Sequence, residues 1–370
     1  MIAPRALIVS ASAGTGHVSA GRALHAAFES AGCAQVVHVD VLDLAPRWVR
    51  AAYGGGFELL ASRAPGVWRE VYRRSDGHTD DARWGTIARR LIFREFERLL
   101  TAERWSFCVC THFLPAQLAA GRPNVPPFAS VVTDFALHRY WVQPRVSQYF
   151  VATPDMARDL HARLPAARVV ATGIPVAPAF ADRVPQSQAR SRLDLPLTGT
   201  LALVMGGGLG IGVEETTRAA LESGIPDLHV VAVCGRNDGA RTRLELLNAG
   251  DRLRVLGFVD DIATLIAGAD VVITKPGGLT SSEALAIGRP LILTRAIPGH
   301  EEANVQYLTS RGAALAAPTT ADVAPALRNL LHDPEVLGRY TWCAHGAGTP
   351  GAAPGIAACL MRRMSRTSVA

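Results

Sequence analysis

The stretch that decides the fold class runs from Ala269 to Asn304 and reads ADVVITKPGGLTSSEALAIGRPLILTRAIPGHEEAN. It predicts an apolar strand over 271–274, a tight glycine turn, a helix that opens at Thr280, a second strand over 291–294, and a polar loop entering another helix. Strands that alternate with helices are typical of a parallel sheet. The polar loops follow the carboxyl ends of the strands, where α/β sheets bind their ligands.

The glycine turn has the composition of a phosphate site. Gly277 and Gly278 place no Cβ between the backbone and a ligand, and the helix behind them presents N–H groups and its positive dipole end. Lys275, the only lysine in the sequence, adds a cation. A diphosphate therefore fits the turn that continues through Leu279 to Thr280.

Glu283 fits two roles. It follows Thr280 by three residues, so the pair has the spacing of a capping box at the start of a helix. A carboxylate at this position also accepts hydrogen bonds from ribose hydroxyls. The local spacing does not choose between the two.

The next strand is followed by a loop rich in polar side chains, at the same predicted edge of the sheet. Those that we expect to contact the sugar of a donor are His300, Glu301, Glu302 and Asn304. Three further loops after predicted strands offer main-chain groups to a phosphate or a uracil edge. They contribute Gly207 and Gly208, Arg236, and Phe258 with Val259.

The first predicted strand, over 6–10, ends in SASAGTGH, which is residues 10–17. Its glycines do not form G-x-G-x-x-G, so the turn does not predict a nicotinamide site. It places His17 at the start of a helix, where the positive helix end lowers the imidazole pKa and favours a neutral base. A histidine at a helix start with no chemical role is the alternative.

A second polar cluster, TDFALHRYW over 133–141, follows the predicted strand 129–132. Asp134 has three open roles there: it orients the imidazole, binds acceptor hydroxyls, or caps the following turn. Phe135 and Trp141 fit packing as well as contact with an acceptor. His138 lies in the same cluster.

These motifs together resemble a known family. The run TKPGGLTSSEALA…PGHEEAN is similar to the monogalactosyl- and glucosyl-diacylglycerol synthases, which are related to the lipid-intermediate N-acetylglucosaminyltransferase of peptidoglycan synthesis. SASAGTGH and T-D-F-x-x-H-x-x-W resemble the N-terminal motifs of the same family. The chain departs from the family at His300, where glutamine is usual, and at THFLP over 111–115, where T-H-P-F-P is usual.

The resemblance implies an α/β fold of the GT-B class, with two Rossmann-like domains that face an interdomain cleft. It implies an inverting glycosyltransferase that moves a hexose, galactose or glucose, from a UDP-sugar to diacylglycerol and forms a β-glycosyl-diacylglycerol. His17 is then the base that deprotonates the acceptor, with Asp134 beside it. Gly16, Phe135, His138 and Trp141 are the expected acceptor contacts.

The chain order supports this division. We expect an acceptor and membrane-binding domain over 1–180, a UDP-sugar domain over 181–340, and a C-terminal helix and tail over 341–370 that pack back on the first domain. Prolines at 178, 185 and 196 indicate a linker near 178–196, and the last helix is predicted over 356–364.

Charge and aromatic content indicate a membrane surface as a partner. The net charge of +6 comes from the first 180 residues, which hold 20 arginines and 14 acidic residues. Residues 47–104 combine arginines with Trp48, Tyr53, Trp68, Tyr72, Trp84 and, next to them, Trp105. Such surfaces rest on anionic headgroups. An ordinary solvated helix face is an equal alternative, and nucleic acid is disfavoured because no binding motif is present.

The remaining patterns limit the location and the cofactors. The apolar run before Ser10 is too short for a signal peptide or a membrane span. The six cysteines have neither a disulfide framework nor metal-ligand spacing. No D-x-D occurs, so we expect no metal and no cofactor. The expected location is cytoplasmic, peripheral on the inner face of the cell membrane.

The acceptor and the sugar stay open at this stage. Transfer to another apolar acceptor, such as a polyprenyl-linked alcohol or a secondary metabolite, fits the same donor site. A nucleotide-sugar epimerase or hydrolase of the same fold is the alternative of a different reaction class.

Overall fold

The computed structural model describes residues 4–50, 92–119, 125–182, 184–297 and 299–367, without the side chains of residues 300 and 365–367. The chain divides into two compact units. The first comprises Met1–Ala177, Ile297–His300 and Gly351–Ala370, and the second comprises Pro178–Ala296 and Glu301–Pro350. Most of the region predicted to meet a lipid surface, with Tyr53, Trp68, Tyr72 and Trp84, lies outside the described residues.

The first unit is built on a sheet of six parallel strands in the order β2-β1-β3-β4-β5-β6. The strands are β1 (Arg5–Ser10), β2 (Gln35–Asp40), β3 (Phe107–Cys110), β4 (Phe128–Val131), β5 (Val146–Val151) and β6 (Arg168–Ala171). The helices between them are α1 (Thr15–Ser30), α2 (Arg94–Ala102), α3 (Phe113–Ala119) and α4 (Pro154–Arg163).

Both faces of this sheet are covered. Leu7 and Val9 of β1 point into one hydrophobic core, while Ala6 and Ile8 of the same strand point into another. Successive side chains of a strand alternate between faces, and here all four are fully buried. That double burial explains why the strands are continuous apolar runs rather than alternating patterns.

The second unit repeats this architecture, with six parallel strands in the order β12-β11-β10-β7-β8-β9. The strands are β7 (Thr200–Met205), β8 (Leu228–Val233), β9 (Leu253–Leu256), β10 (Val271–Thr274), β11 (Leu291–Thr294) and β12 (Ala314–Ala317). The helices are α5 (Gln186–Arg192), α6 (Val213–Leu221), α7 (Asp238–Glu245), α8 (Ile262–Gly268), α9 (Gly278–Ile287), α10 (His300–Ser310), α11 (Val323–Leu331) and α12 (Pro334–Ala347). Short 3-10 helices cover Arg139–Trp141 in the first unit and Pro178–Phe180, Gly250–Arg252 and Thr320–Asp322 in the second.

The last helix, α13 (Ala352–Thr367), packs against α1 in the first unit. Ile356 and Leu360 of α13 share a core with Leu24 and Phe28 of α1. The helix begins four residues before the predicted start at 356, because the preceding segment of small residues continues into it.

The segment 178–196, where prolines predicted a linker, begins at Pro178, the first residue of the second unit. It contains α5, and the Arg190 side chain on that helix is almost fully buried. Arg190 donates from Nη2 to Asp270 Oδ2 at 2.7 Å, from Nε to the Gly268 carbonyl at 2.8 Å, and from Nη1 to the Gly199 carbonyl at 3.1 Å. These contacts join α5 to the start of β7 and of β10.

Within the ranges that the structure describes, no helix combines the length and the apolar character needed to span a bilayer.

Replacing Arg190 with methionine leaves the Asp270 carboxylate without its charged partner in a largely buried position. We expect the free energy of unfolding to fall by about 3–5 kcal/mol, measured by urea unfolding followed by circular dichroism. The control is Arg163→Met, since the exposed Arg163 pairs with Asp159 at 2.9 Å and such pairs contribute less than about 1 kcal/mol. A loss for Arg190→Met no larger than that of the control contradicts the role assigned to the buried pair.

Candidate active site

Each sheet has a topological switch point, where loops from adjacent strands lead in opposite directions. It lies between β1 and β3 in the first unit and between β7 and β10 in the second. Ligands of open α/β sheets bind in the crevice that forms there, at the carboxyl ends of the strands. His17 follows β1, Gly207 follows β7, and Lys275 follows β10.

His17 lies in the first turn of α1, directly after the loop that leaves β1. Its Nδ1 is 2.8 Å from the Thr111 carbonyl oxygen and 3.0 Å from Thr133 Oγ1. Thr111 follows β3 and Thr133 follows β4, so three neighbouring strands hold one imidazole.

The Thr111 contact assigns the tautomer of His17. A carbonyl oxygen only accepts hydrogen bonds, so the proton of the neutral ring lies on Nδ1 and the lone pair lies on Nε2. A neutral imidazole with this tautomer presents Nε2 as its basic nitrogen. That is the form a general base requires.

His112 forms one wall beside His17. The two rings meet edge to face with centroids 4.7 Å apart, and the His112 ring also lies 4.1 Å from that of Phe113. Burial, and secondarily the proximity of His17, holds the pKa of His112 well below its usual range. His112 is therefore a neutral packing group next to His17.

The predicted acceptor residues occupy different environments. Gly16 precedes His17 in α1, and Asp134 and Phe135 are half-buried in the bend after β4. His138 caps the short helix Arg139–Trp141, since its Nδ1 accepts from the Tyr140 N–H at 3.2 Å. Trp141 is 3% exposed and packs in the core against Phe113. Direct contact of these five residues with an acceptor, and the role of Asp134, stay predictions.

Lys275 lies at the switch point of the second unit, between two loops. Its Nζ is 3.7 Å from Glu301 Oε1 of α10, a carboxylate that is almost fully buried. A Cβ on Gly207, in the loop after β7, would be 3.5 Å from Lys275 Cε. The cation is thus positioned beside the glycine loop by a buried acid, a role for Glu301 that the sequence did not predict.

The helix behind Lys275 begins earlier than predicted. The N-cap of α9 is Gly277 and its first residue is Gly278, rather than Thr280, and no side chain caps it. Glycine is tolerated at an N-cap, so the helix extends back to the turn. The first-turn N–H groups face the turn, and the space where a Cβ of Gly277 would lie is open. This geometry suits an anion.

Glu283 is not part of a capping box, because α9 begins two residues before Thr280. It lies in the second turn, and among the described residues it has no hydrogen-bond or ion-pair partner. Burial raises the pKa of its carboxyl to about 8. A half-buried carboxyl that lacks a partner among these described residues is suited to hydrogen bonding with a ligand.

The remaining donor loops meet at the same sheet edge. The Arg236 N–H donates to the Gly208 carbonyl at 3.1 Å, which joins the loops after β7 and β8. Gly235 has a φ of +57°, and a Cβ there would lie 2.7 Å from that carbonyl. The Arg236 guanidinium lies 5.8 Å from the centre of the exposed Phe258 ring. Phe258 and the half-buried Val259 belong to the loop after β9.

The residues of α10 are only partly available for a sugar. Asn304 is fully buried and donates from Nδ2 to the Pro276 carbonyl at 2.9 Å, so it holds the turn at Pro276. Glu302 is exposed in the first turn of the helix. The side chain of His300 lies outside the described residues. Sugar contacts by these three residues and by Glu301 stay predictions.

Several residues around His17 were missed by sequence reasoning. Ser10, Thr111, Thr133 and His38 all have side chains that contact His17 or its neighbours. Ser10 ends β1, and Thr111 and Thr133 follow β3 and β4 at the edge of the sheet where His17 lies. This position at strand ends is the sequence signal by which they could have been predicted. Among the described residues there is no cluster of histidine, cysteine and acidic side chains that could hold a metal.

Two family models match this chain. Residues 17–176 match the family model of monogalactosyldiacylglycerol (MGDG) synthase, and residues 219–341 match that of the glycosyl transferases group 1. The first match contains the His17 site, and the second contains the turn at Lys275.

Curated relatives and solved structures extend over most of the chain. A processive diacylglycerol beta-glucosyltransferase of Bacillus cereus (strain AH187) is 30% identical over 345 residues, which are 89% of this chain and 86% of the relative. One from Bacillus subtilis (strain 168) is 36% identical over 222 residues, which are 58% of this chain and 57% of that protein. The crystal structure of MurG from Acinetobacter baumannii has a TM-score of 0.61 and 19% identity, with 97% of this chain and 100% of that chain covered.

The structural likeness confirms the predicted GT-B fold class, and the similarity in sequence confirms the predicted resemblance. The chain belongs to the family of diacylglycerol glycosyltransferases that includes the monogalactosyldiacylglycerol synthases and the processive diacylglycerol glucosyltransferases.

Proposed function

We propose that this protein transfers a hexose, glucose or galactose, from a UDP-sugar to diacylglycerol and inverts the anomeric configuration. Membership of the family supports the reaction class and the lipid acceptor. The observation that carries the assignment of the base is the hydrogen bond from His17 Nδ1 to the Thr111 carbonyl oxygen at 2.8 Å. The assigned base, His17, belongs to the first unit, and the residues assigned to the UDP part of the donor belong to the second.

The chemistry is displacement at the anomeric carbon. The acceptor hydroxyl gives its proton to Nε2 of His17 as its oxygen attacks C1 of the sugar. The bond between C1 and the β-phosphate oxygen breaks, and UDP leaves with the electron pair. Attack on the face opposite the leaving group converts an α-linked donor into a β-glycoside.

Two groups of the second unit stabilise the negative charge that develops on the leaving diphosphate. These are the Lys275 ammonium and the uncapped N-terminus of α9 at Gly277 and Gly278. Preorganised N–H groups and cations of this kind stabilise a leaving phosphate. We assign the diphosphate to these two groups, with no metal ion involved.

The nucleoside part of the donor extends along the same edge of the sheet. Glu283 accepts hydrogen bonds from the ribose hydroxyls, and the main chain at Phe258 and Val259 meets the uracil edge. The exposed Phe258 ring with Arg236 above it adds a flat surface at this end of the site.

A grid of UDP-glucose, UDP-galactose and UDP-N-acetylglucosamine against vesicle-borne diacylglycerol and a polyprenyl alcohol tests the function. We expect hexose transfer to diacylglycerol, and a loss of about 100-fold or more in His17→Ala with UDP binding retained. The control is His25→Ala, on the same helix but paired with Glu29 at 3.3 Å. Transfer confined to the other alcohol, or near-normal turnover in His17→Ala, contradicts the proposal.

The raised pKa of Glu283 gives a pH-dependent stability. Because its pKa in the folded protein is about 8, the folded state binds more protons than the unfolded state between the ordinary carboxyl pKa and about 8. Stability contributed by this group therefore falls as pH rises through that window. We expect Glu283→Gln to be more stable than the parent by a few kcal/mol above pH 8, and by much less near pH 5.

The exposed Glu222→Gln serves as the control for this measurement by urea unfolding at both pH values. The ribose assignment adds a second expectation, that Glu283→Gln weakens UDP binding by about tenfold. A pH-independent stability difference contradicts the raised pKa of the Glu283 carboxyl. Unchanged UDP affinity contradicts the ribose contact.

We also propose that the protein works in the cytoplasm, bound peripherally to the inner face of the cell membrane. The arginine- and aromatic-rich region 47–104 supports this location, since it combines cationic groups with interfacial rings. At its described start, Trp48 is 65% exposed between Arg47 and Arg50.

Cosedimentation with vesicles tests the membrane assignment. We expect binding to vesicles that contain phosphatidylglycerol, weaker binding to neutral vesicles, and release at high salt. The double variant Arg47→Glu/Trp48→Ala should bind less than Arg339→Glu/Trp342→Ala, which removes an exposed arginine and tryptophan from α12 in the second unit. Equal binding by the two variants contradicts this location for the lipid surface.

A further inference from the structure

A chain of hydrogen bonds leads from His17 to a second histidine on β2. Thr111 holds His17 twice: its carbonyl oxygen accepts from Nδ1 at 2.8 Å, and its Oγ1 donates to the His17 carbonyl at 2.8 Å. The side chain and the backbone of one residue thus fix both the ring and the main chain of the other.

Ser10 extends this contact away from the site. Its Oγ lies 3.0 Å from Thr111 Oγ1 and 3.2 Å from the His17 carbonyl oxygen. His38 Nε2 lies 2.7 Å from the same Ser10 Oγ. Ser10 and Thr111 are fully buried, so in this position their hydroxyls rely on protein partners rather than water.

Gly21 provides the space for the contact between Ser10 and His38. It lies one turn after His17 on α1, and a Cβ at this position would be 2.4 Å from His38 Nε2 and 2.5 Å from Ser10 Oγ. Both distances are too short for any side chain to be added without displacing one partner. The helix therefore approaches β2 closely only because residue 21 is glycine.

His38 remains neutral at ordinary pH. Burial, followed by the nearby His25 and Arg22, lowers its pKa to about 4, while the Asp40 carboxylate acts in the opposite direction. A neutral imidazole exchanges a single hydrogen bond with the Ser10 hydroxyl without placing a charge in the chain. The contact is thus the same across the pH range in which His17 acts.

We infer that His38, Ser10 and Thr111 are positioning residues that hold His17 in its Nδ1–H tautomer and in place for proton transfer. This inference rests on the proposed role of His17 as the base. His38 touches neither the reacting atoms nor His17 itself, and it acts through Ser10 and Thr111. Displacement of a catalytic group by a fraction of an ångström is enough to slow proton transfer.

The test compares His38→Leu, which removes the Nε2 contact, with His38→Gln, whose side-chain amide restores a polar atom near Ser10. Gly21→Ala breaks the contact independently, by inserting a methyl group between the two partners. Gly355→Ala on α13 is the matched control, because a Cβ there meets nothing within 4 Å.

Two readouts apply to the full-length protein. We expect His38→Leu and Gly21→Ala to lower kcat by about tenfold with the KM for the UDP-sugar within about twofold of the parent, and His38→Gln and Gly355→Ala to stay near the parent. The ¹⁵N NMR spectrum of the His17 ring, assigned with His17→Gln, should show the Nδ1–H tautomer in the parent and a mixture in His38→Leu.

Parental kcat and tautomer in His38→Leu overturn the inference. An equal loss of kcat in His38→Leu and His38→Gln, or a loss that accompanies weaker UDP binding and lower thermal stability, also overturns it, because it indicates a general effect on the fold. If His17→Ala is itself active, the proposed base is wrong, and the tautomer measured by NMR alone then decides whether His38 positions the ring.

Discussion

Parallel pairing of the strands is the constraint on which the functional sites depend. In each sheet every strand runs in the same direction, so the loops that leave their carboxyl ends share one edge. Thr111 and Thr133 are far apart from His17 in sequence, and they reach its imidazole only because β1, β3 and β4 are adjacent. The same constraint brings Gly207 beside Lys275 in the second unit.

The sites also require glycines at points of close approach in both units. The absence of a Cβ at Gly21 leaves room for the hydrogen bond between the His38 and Ser10 side chains. The absence of a Cβ at Gly235 allows the loops after β7 and β8 to contact each other. Buried polar groups then hold the resulting geometry: Asn304 holds the turn at Pro276, and Glu301 holds Lys275. In both units the residues nearest the chemistry are thus supported by others that a ligand need not contact.

The sequence predicted the parts of the fold that depend on short-range pattern. The strands Val271–Thr274 and Leu291–Thr294 have the predicted bounds, since each is an apolar run bounded by polar or turn residues. The predicted start of α9 was wrong because Thr280 and Glu283 have the spacing of a capping box, whereas the N-cap of the helix is Gly277. The helix α5 within 178–196 was not predicted because prolines mark helix starts as well as breaks, and Arg190 is anchored by residues about 80 positions away.

Site residues with a distinctive local motif were predicted, and site residues that depend on distant contacts were not. His17, Lys275 and Glu283 stand out through local spacing, whereas His38 has no local signal, because its partner Ser10 is on another strand. Its importance comes from strand order, which local sequence pattern does not specify. The tautomer of His17 depends on the backbone carbonyl oxygen of residue 111, which any residue there would supply. Only the hydrogen bond from the Thr111 hydroxyl to the His17 carbonyl depends on the identity of that residue.

Inverting transfer to diacylglycerol can be tested through the anomeric configuration of the product. The lipid formed from an α-linked UDP-glucose or UDP-galactose and vesicle-borne diacylglycerol can be isolated and its anomeric proton examined by NMR. We expect a β-glycosyl-diacylglycerol, recognised by the large coupling between the diaxial H1 and H2 protons. An α-linked lipid, or free sugar with no glycolipid, would contradict it.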